Sequence, residues 1–384
     1  MVEAEVLIVG GGCVGTSTAF RLANSGCKGV MLLEKGGAVA SGASGKGSAI
    51  VNVAVWNATK PLIPMLLESI EIYQNFGDRI GGTCGYTQCG GVEFAGANRE
   101  AEIKRVAIKE KELGADIKLL SADELKQLDP GVNTNDLTVF AYEPQSGYAD
   151  SIETTNSFAK QAEKHGARLS MNTEVTKIRV ENGRVKGVET NKGPVDARKV
   201  FVAANVWAPK LLRDIGINVP ITPVRKQVCL YKLPKSLGRP RIVMDDFFQD
   251  LYFRPDGDYT LAGEIEKPGL PADMQNFPAG FETETAIRIG EKLKHRYPSM
   301  TSAINRGGYS GPYDVSADAQ PILDQPPQIE GLYIALGFSG HGFRFSPSTG
   351  RVMSELIMNG KVNGVDVQEF RLSRFAEGKP IPLL

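Results

Sequence analysis

The stretch that decides the fold is EVLIVGGGCVGTSTAFRLANSGCKGVMLLEK, residues 5–35. Val6-Leu7-Ile8-Val9 is apolar without a break, the pattern of a parallel strand covered on both faces. Gly10, Gly12 and Gly15 then fit G-x-G-x-x-G, with Cys13 and Val14 inside the motif. In such a turn the first glycine makes the bend and the second lets backbone approach a pyrophosphate. The third lets the following helix pack on the strand. The helix N-terminus offers unpaired N–H groups and a positive dipole end to the phosphates. A second apolar run, Val30 to Leu33, ends at Glu34 and Lys35. An acid about 20 residues past the glycines can take a ribose hydroxyl. The order strand, glycine turn, helix, strand predicts a dinucleotide site. The motif alone does not separate FAD from NAD, while Glu34 opposes the 2′-phosphate of NADP.

A second small-residue loop follows, SGASGKGSAIVNVA (41–54). Ala43, Ser44, Gly45, Lys46, Gly47 and Ser48 would let backbone amides run along the remaining phosphate and an isoalloxazine edge. The apolar run AIVNVAVW (49–56) predicts that this loop is anchored inside the protein.

The bulk numbers narrow the classes. A chain of 384 residues predicts two domains or one elaborated α/β domain. Lys+Arg and Asp+Glu are equal at 44 each, which argues against a nucleic-acid partner. Cys13, Cys27, Cys84, Cys89 and Cys229 are odd in number and scattered, so free thiols in a reducing cytoplasm are expected, with no metal site. No secretory signal is visible at the N-terminus, and no run of 18 apolar residues could span a membrane. PLIPMLL (61–67) is the short segment through which peripheral membrane contact could occur.

Further along, Ser151 to His165 reads as an amphipathic helix, Ala167 to Met171 as a strand, and EVTKIRVENGRVKGVET as a hairpin turning at Asn182-Gly183. VFVAAN (200–205) is another buried strand. ITPVRKQVCLYKL and DLYFRPDGDYTLAG look like antiparallel strands, with a turn at Pro255-Asp256-Gly257-Asp258.

Taken in order, these segments resemble the FAD-dependent amine and amino-acid oxidoreductases of the D-amino-acid oxidase family. The likeness is greatest to the branch with sarcosine oxidase, dimethylglycine dehydrogenase and the dye-linked L-proline dehydrogenase catalytic subunit. It rests on the glycine motif, GASGKGS, LSADELKQLDPGV (120–132) and YEPQSGYADSIETTNSFAKQAEKHGARL (142–169). It continues through VFVAANVWAPKLL (200–212), LYFRPDGDYTLAGE (251–264), YSGPYDVSADAQPILD (309–324) and GFSGHGFRFSPSTGRVMSELIMNG (337–360). The resemblance implies an α/β protein (α+β overall), a Rossmann-like FAD-binding domain with a second, antiparallel-sheet substrate domain. The first would come from 1–85, 143–220 and 305–384, the second from 86–142 and 221–304.

It also implies site residues. Backbone near Val175 would hold the adenine, and Ala203, Ala204 and Trp207 would lie by the cofactor. Gly311 stands where sarcosine oxidase carries the cysteine that bonds FAD, and the nearest cysteine is Cys229, so FAD is expected to be non-covalent. Gly337, Gly340, His341, Gly342 and Phe343 would pass beneath the flavin. Arg344 stands where GFSGHGFKF carries a lysine that binds the substrate carboxylate, and a guanidinium can grip a carboxylate bidentately. Tyr252, Arg254 and Tyr313 would line the same site, with Arg225 and Lys226 less favoured. Ser346 reads as an N-cap and Pro347 as the first residue of a helix aimed at the flavin. The oxygen-activating lysine of sarcosine oxidase falls near Leu261, which tilts the expectation toward a dehydrogenase.

The function implied is oxidation of the C–N bond of a small carboxylate-bearing amine such as proline, hydroxyproline or sarcosine. The partners expected are that substrate, an electron acceptor or partner subunit, and further chains in a homo- or hetero-oligomer. A flavoprotein acting on a 2-hydroxy acid or glycerol 3-phosphate remains open, with His341 as the motif's histidine. So does a non-catalytic flavoprotein subunit.

Overall fold

The computed structural model describes residues 2–53, 59–234, 236–265, 270–274 and 276–383; Ala54 to Trp56 of the apolar run lie outside them. The first strand, Val2–Val9, divides its side chains between two cores. Val6 and Ile8 enter one buried cluster, and Ala4, Leu7 and Val9 the other, which is why the run is apolar throughout. It pairs in parallel with Val30–Leu33 on one edge and Gly193–Val202 on the other. Arg168–Ser170 extends this sheet beyond Val30–Leu33. The far edge of Gly193–Val202 is shared. Its beginning takes the hairpin Val175–Glu181/Arg184–Thr190, and its end takes Leu332–Leu336 in parallel. Asn182 (φ 50°) and Gly183 (φ 72°) form the hairpin turn as expected.

The helix Cys13–Asn24 follows the glycine turn and packs between the helices Ser151–Lys164 and Gly342–Asn359. The helix Ile63–Gln74 lies against the last of these, burying Ile63, Met65 and Leu66. Of PLIPMLL, Leu62, Ile63, Met65 and Leu66 are buried in the core, while Pro64 is exposed and Leu67 half-buried. Among the described residues no helix is long and apolar enough to cross a membrane.

Among the described residues the second large sheet has nine strands, with Leu270–Pro271 at one edge beside Ile221–Lys232. Its order runs from Ile221–Lys232 through Tyr259–Gly263, Leu251–Asp256, Val243–Asp246, Gly91–Ala95 and Val139–Glu143 to Lys118–Leu120. Neighbours are antiparallel except Val243–Asp246 with Gly91–Ala95. Ile304–Ser316, which the expected boundary at 305 gives to the cofactor domain, pairs along its length with Ile221–Lys232 and so extends this second sheet, the roof of the site.

The start of the last helix differs from its sequence signal. It begins at Gly342, so Ser346 is not the N-cap, and Pro347 lies inside the helix. Proline removes the N–H that would reach the carbonyl of Phe343. That carbonyl instead accepts from the Tyr73 hydroxyl at 2.7 Å and from Ser346 Oγ at 2.8 Å. A side chain from a helix some 270 positions away makes an interior proline tolerable.

Candidate active site

A cleft of about 730 Å³ runs along the C-terminal ends of the parallel strands, the usual place for a ligand in such a sheet. Its floor is the glycine turn. Gly10 has φ 114°, and a Cβ there would lie 2.5 Å from the Ala203 carbonyl oxygen, so only glycine fits. Gly12, Cys13 and Val14 line the cleft, whereas Gly15 packs the helix against the Gly10 carbonyl. Glu34 stands at the strand tip, accepting from the N–H groups of Gly11 and Gly36 at 2.7 Å each. The second loop docks on the turn through Ser44 Oγ, which accepts from Cys13 N–H at 3.0 Å. Ala43, Ser44 and Gly47 line the cleft; Gly45 and Lys46 do not.

Val175, Ala203, Ala204 and Trp207 also line it, and the Lys35 ammonium sits 3.6 Å from the centre of the Trp207 ring. Gly311 backs onto Lys46 and Gly337 onto Ser316, so neither lines the cleft; the Gly337 N–H donates to Asp314 Oδ2 at 2.7 Å. Gly340 (φ 95°) is needed for space as well as conformation: a Cβ would come within 2.2 Å of the Tyr313 ring. Cys229 is buried in the hydrophobic core under the roof and lines neither cavity.

A second chamber of about 410 Å³ shares Gly47, Tyr313, Gly340 and Phe343 with the cleft, so the two meet at the N-terminus of the last helix. Arg344, Tyr252, His341 and Ser48 line it, together with Lys226. The roof contributes a row of residues in cross-strand register: Glu93 opposite Asp245, Asp245 opposite Tyr252, and Tyr252 opposite Gly263. Tyr252 leans over Gly263, where a Cβ would meet its hydroxyl at 2.4 Å. Tyr252 and Tyr313 both line the chamber, and burial pushes both phenols up, so they face it neutral.

Arg344 is almost wholly buried, and its Nη1 donates to Asn52 Oδ1 at 2.7 Å. Burial lowers its pKa while Glu93, Glu143, Asp245 and Glu110 oppose that shift, so the guanidinium stays charged. Asn52 Nδ2 donates in turn to Asp245 Oδ2 at 3.2 Å. His341 is held well below its ordinary value by burial, with Arg344 and Lys226 adding to the effect, and is a neutral imidazole.

Arg254 is placed elsewhere. It lines neither cavity; its Nε donates to the Ser48 carbonyl at 2.6 Å and its Nη1 to Asp256 at 2.9 Å, clamping the second loop to the roof. Arg225 is held by Glu282 and the carbonyls of Pro278 and Gly280. Leu261 is packed among Val228, Tyr252 and its neighbours, while Lys226, from the adjoining strand, reaches the chamber and donates to the Ile265 carbonyl at 3.1 Å. Asn52, Asp245 and Glu264 are chamber residues that sequence reading passed over.

Comparison with known proteins places the whole chain in one family and one fold. The family model for DAO, FAD dependent oxidoreductase, matches residues 5–356. Monomeric sarcosine oxidase of a Bacillus species is 25% identical over 96% of both chains. Mouse mitochondrial dimethylglycine dehydrogenase is 28% identical over 94% of this chain, which spans only 43% of that protein's length. Among solved structures, L-proline dehydrogenase from P. horikoshii superposes with a TM-score of 0.89 at 26% identity, covering 98% of this chain and 99% of the other.

Proposed function

The chain belongs to the DAO family of FAD-dependent oxidoreductases, and on that premise we propose that it oxidises the C–N bond of a small amine that carries a carboxylate. FAD would lie with its pyrophosphate over Gly10 to Val14, its ribose at Glu34, and its adenine by Val175. Its flavin would reach the junction of the two cavities, where the N-terminus of the last helix favours negative charge on the reduced ring. Gly311 and the distance of Cys229 from both cavities support non-covalent binding. When bound, FAD supplies the two-electron acceptor. The protein's share is to hold the substrate's reacting carbon against it.

The observation that carries this reading is the convergence of Arg344, Tyr252 and Tyr313 on a chamber continuous with the cofactor cleft. A buried guanidinium anchors a carboxylate, and neutral phenols close the chamber over the amine. We infer a secondary amine of the proline or sarcosine kind, in line with the activities named for the relatives. His341 sits in the chamber and is neutral with depressed basicity, a poor base for the hydroxyl proton of a 2-hydroxy acid. The preference for a dehydrogenase loses its ground at Leu261, because Lys226 brings a cation into the chamber; peroxide yield in air assigns the acceptor.

The test is anaerobic flavin bleaching with a panel of secondary amines, primary amino acids and 2-hydroxy acids. Amines bleaching first supports the reading, and bleaching only by hydroxy acids overturns it. With the best amine, Arg344→Ala should raise KM roughly 10- to 100-fold, the loss of a charged hydrogen bond, while FAD stays bound. An unchanged KM would remove Arg344 from the carboxylate site.

A further inference from the structure

We propose that Asp245 is the group that takes the proton from the substrate's ammonium, delivering the neutral amine from which oxidation proceeds. The inference rests on the amine reading above. A secondary amine in water is protonated, since alkylammonium groups titrate near ~10. An ammonium has no lone pair with which to stabilise the developing iminium. An N–H bond must therefore break first, its electron pair staying on nitrogen and its proton passing to an acceptor in the chamber. No electron changes hands in that step.

Geometry selects the acceptor. Asp245 lies in the middle of the roof row, with Glu93 on one side and Tyr252 on the other, and it lines the chamber. Its carboxylate is tied through Asn52 to Arg344, so the residue proposed to hold the substrate carboxylate and the residue proposed to take the amine proton are fixed to one intervening side chain. An α-amino acid likewise carries its carboxylate and its amine on a single carbon.

The other titratable groups facing the chamber are unsuited. Glu264 is bound to Arg288 and Lys292 at 2.8 Å each, and those partners hold it down to about 2 against the effect of burial. His341 is kept neutral and weakly basic by burial, Arg344 and Lys226. Tyr252 and Tyr313 are phenols pushed up by burial. Asp245 differs. Burial pushes it up to about 7, with Arg344 and Asn52 opposing and Glu143 reinforcing. Glu93, its neighbour across the strands, is pushed up further by burial and by Asp245 itself, so it enters neutral and leaves the negative charge to Asp245. A base that titrates near the working pH transfers protons most effectively.

The experiment is anaerobic single-turnover flavin reduction by the best amine between pH 6 and 10, in the wild-type holoenzyme and in Asp245→Asn and Asp245→Glu. In the wild type, the rate at limiting substrate should rise through an ionisation well above the ordinary carboxylate range and below that of the substrate's ammonium. In Asp245→Asn that ionisation should vanish. Reduction at pH 7 should be slower by roughly 100-fold or more, and should recover only as the substrate's own ammonium titrates. Asp245→Glu should retain an ionisation, displaced from that of the wild type. A pH profile in Asp245→Asn that superimposes on the wild type overturns the proposal. If Asp245→Asn does not fold, a profile for Asp245→Glu identical to the wild type does so instead. Failure of every amine to bleach the wild-type flavin is a different result, and sinks the amine reading itself.

Discussion

At the scale of single residues, the chamber stands against an unusual concentration of buried carboxyls. Glu93, Glu110, Glu143 and Asp245 are all buried, and Arg344 is the cation they share in its electrostatic balance. Glu110 is the extreme case: fully buried, on the helix Glu100–Glu112, with neither carboxyl oxygen hydrogen-bonded. Burial pushes it up to about 9, with Glu143 reinforcing and Arg344 opposing. A carboxyl whose pKa is raised on folding contributes stability that is complete below its ordinary value of 4.5 and is lost as pH climbs through about 9. Glu110→Met should therefore stabilise the protein by about 1–4 kcal/mol at pH 9, with the gain shrinking toward pH 5. Thermal unfolding at both pH values checks this; a gain equal at both would mean that ionisation of Glu110 is not its cause. The position is written in the sequence, because Glu110 follows Ile103, Val106 and Ala107 at i+7, i+4 and i+3 on one helical stripe. A balanced charge count hides it.

At the scale of elements, legibility followed how local the cause was. The first strand, its glycine turn, the helix and the acid at the next strand tip are set by neighbours in sequence, and each lies where the pattern put it. The start of the last helix was misread because the Ser346-Pro347 step is a good local start signal, whereas the deciding bond comes from Tyr73. The roof row was illegible for a related reason. Glu93, Asp245 and Tyr252 come from three separate segments and become neighbours only through strand register, so no spacing in the sequence joins them. Arg254 shows the converse: it shares a strand face with Tyr252, yet the loop carbonyl of Ser48 captures it. One element contact can be tested directly. The first and last helices cross at Gly350, where a Cβ would meet Ser17 Oγ at 2.1 Å and the Ser17 carbonyl carbon at 2.8 Å. Gly350→Ala must push the two helices apart, and overpacking of this kind costs about 1–3 kcal/mol. Both helices begin at the cofactor cleft, so the same variant should also lose flavin faster on gel filtration. Wild-type flavin retention together with an unchanged melting temperature would show that the crossing has slack.

At the scale of the whole molecule, the cleft is assembled from parts of the chain that are far apart in sequence. The glycine turn, the Ala203–Trp207 turn and the Phe338–Phe343 segment meet because three strands, Val2–Val9, Gly193–Val202 and Leu332–Leu336, lie side by side, and the Thr173–Thr176 stretch joins them where Thr173 N–H donates to the Glu34 carbonyl at 2.8 Å. A ligand that touches all four must stabilise their mutual arrangement and not one loop. Binding to the folded state alone adds about 2.7 kcal/mol when the free ligand stands at 100 times its Kd. Adding FAD to flavin-stripped protein should therefore raise the melting temperature. It should also slow amide exchange at Gly10–Val14, Thr173–Thr176 and Phe338–Phe343 together, with equal dependence on FAD concentration. The distant roof edge at Lys118–Leu120 lines neither cavity and supplies the internal reference, where exchange should not change. Protection confined to the glycine turn, with the other two segments exchanging as before, would mean that the nucleotide occupies only one end of the cleft. The flavin would then not reach the chamber that Arg344 and Asp245 line, and the chemistry assigned to that chamber would fall with it.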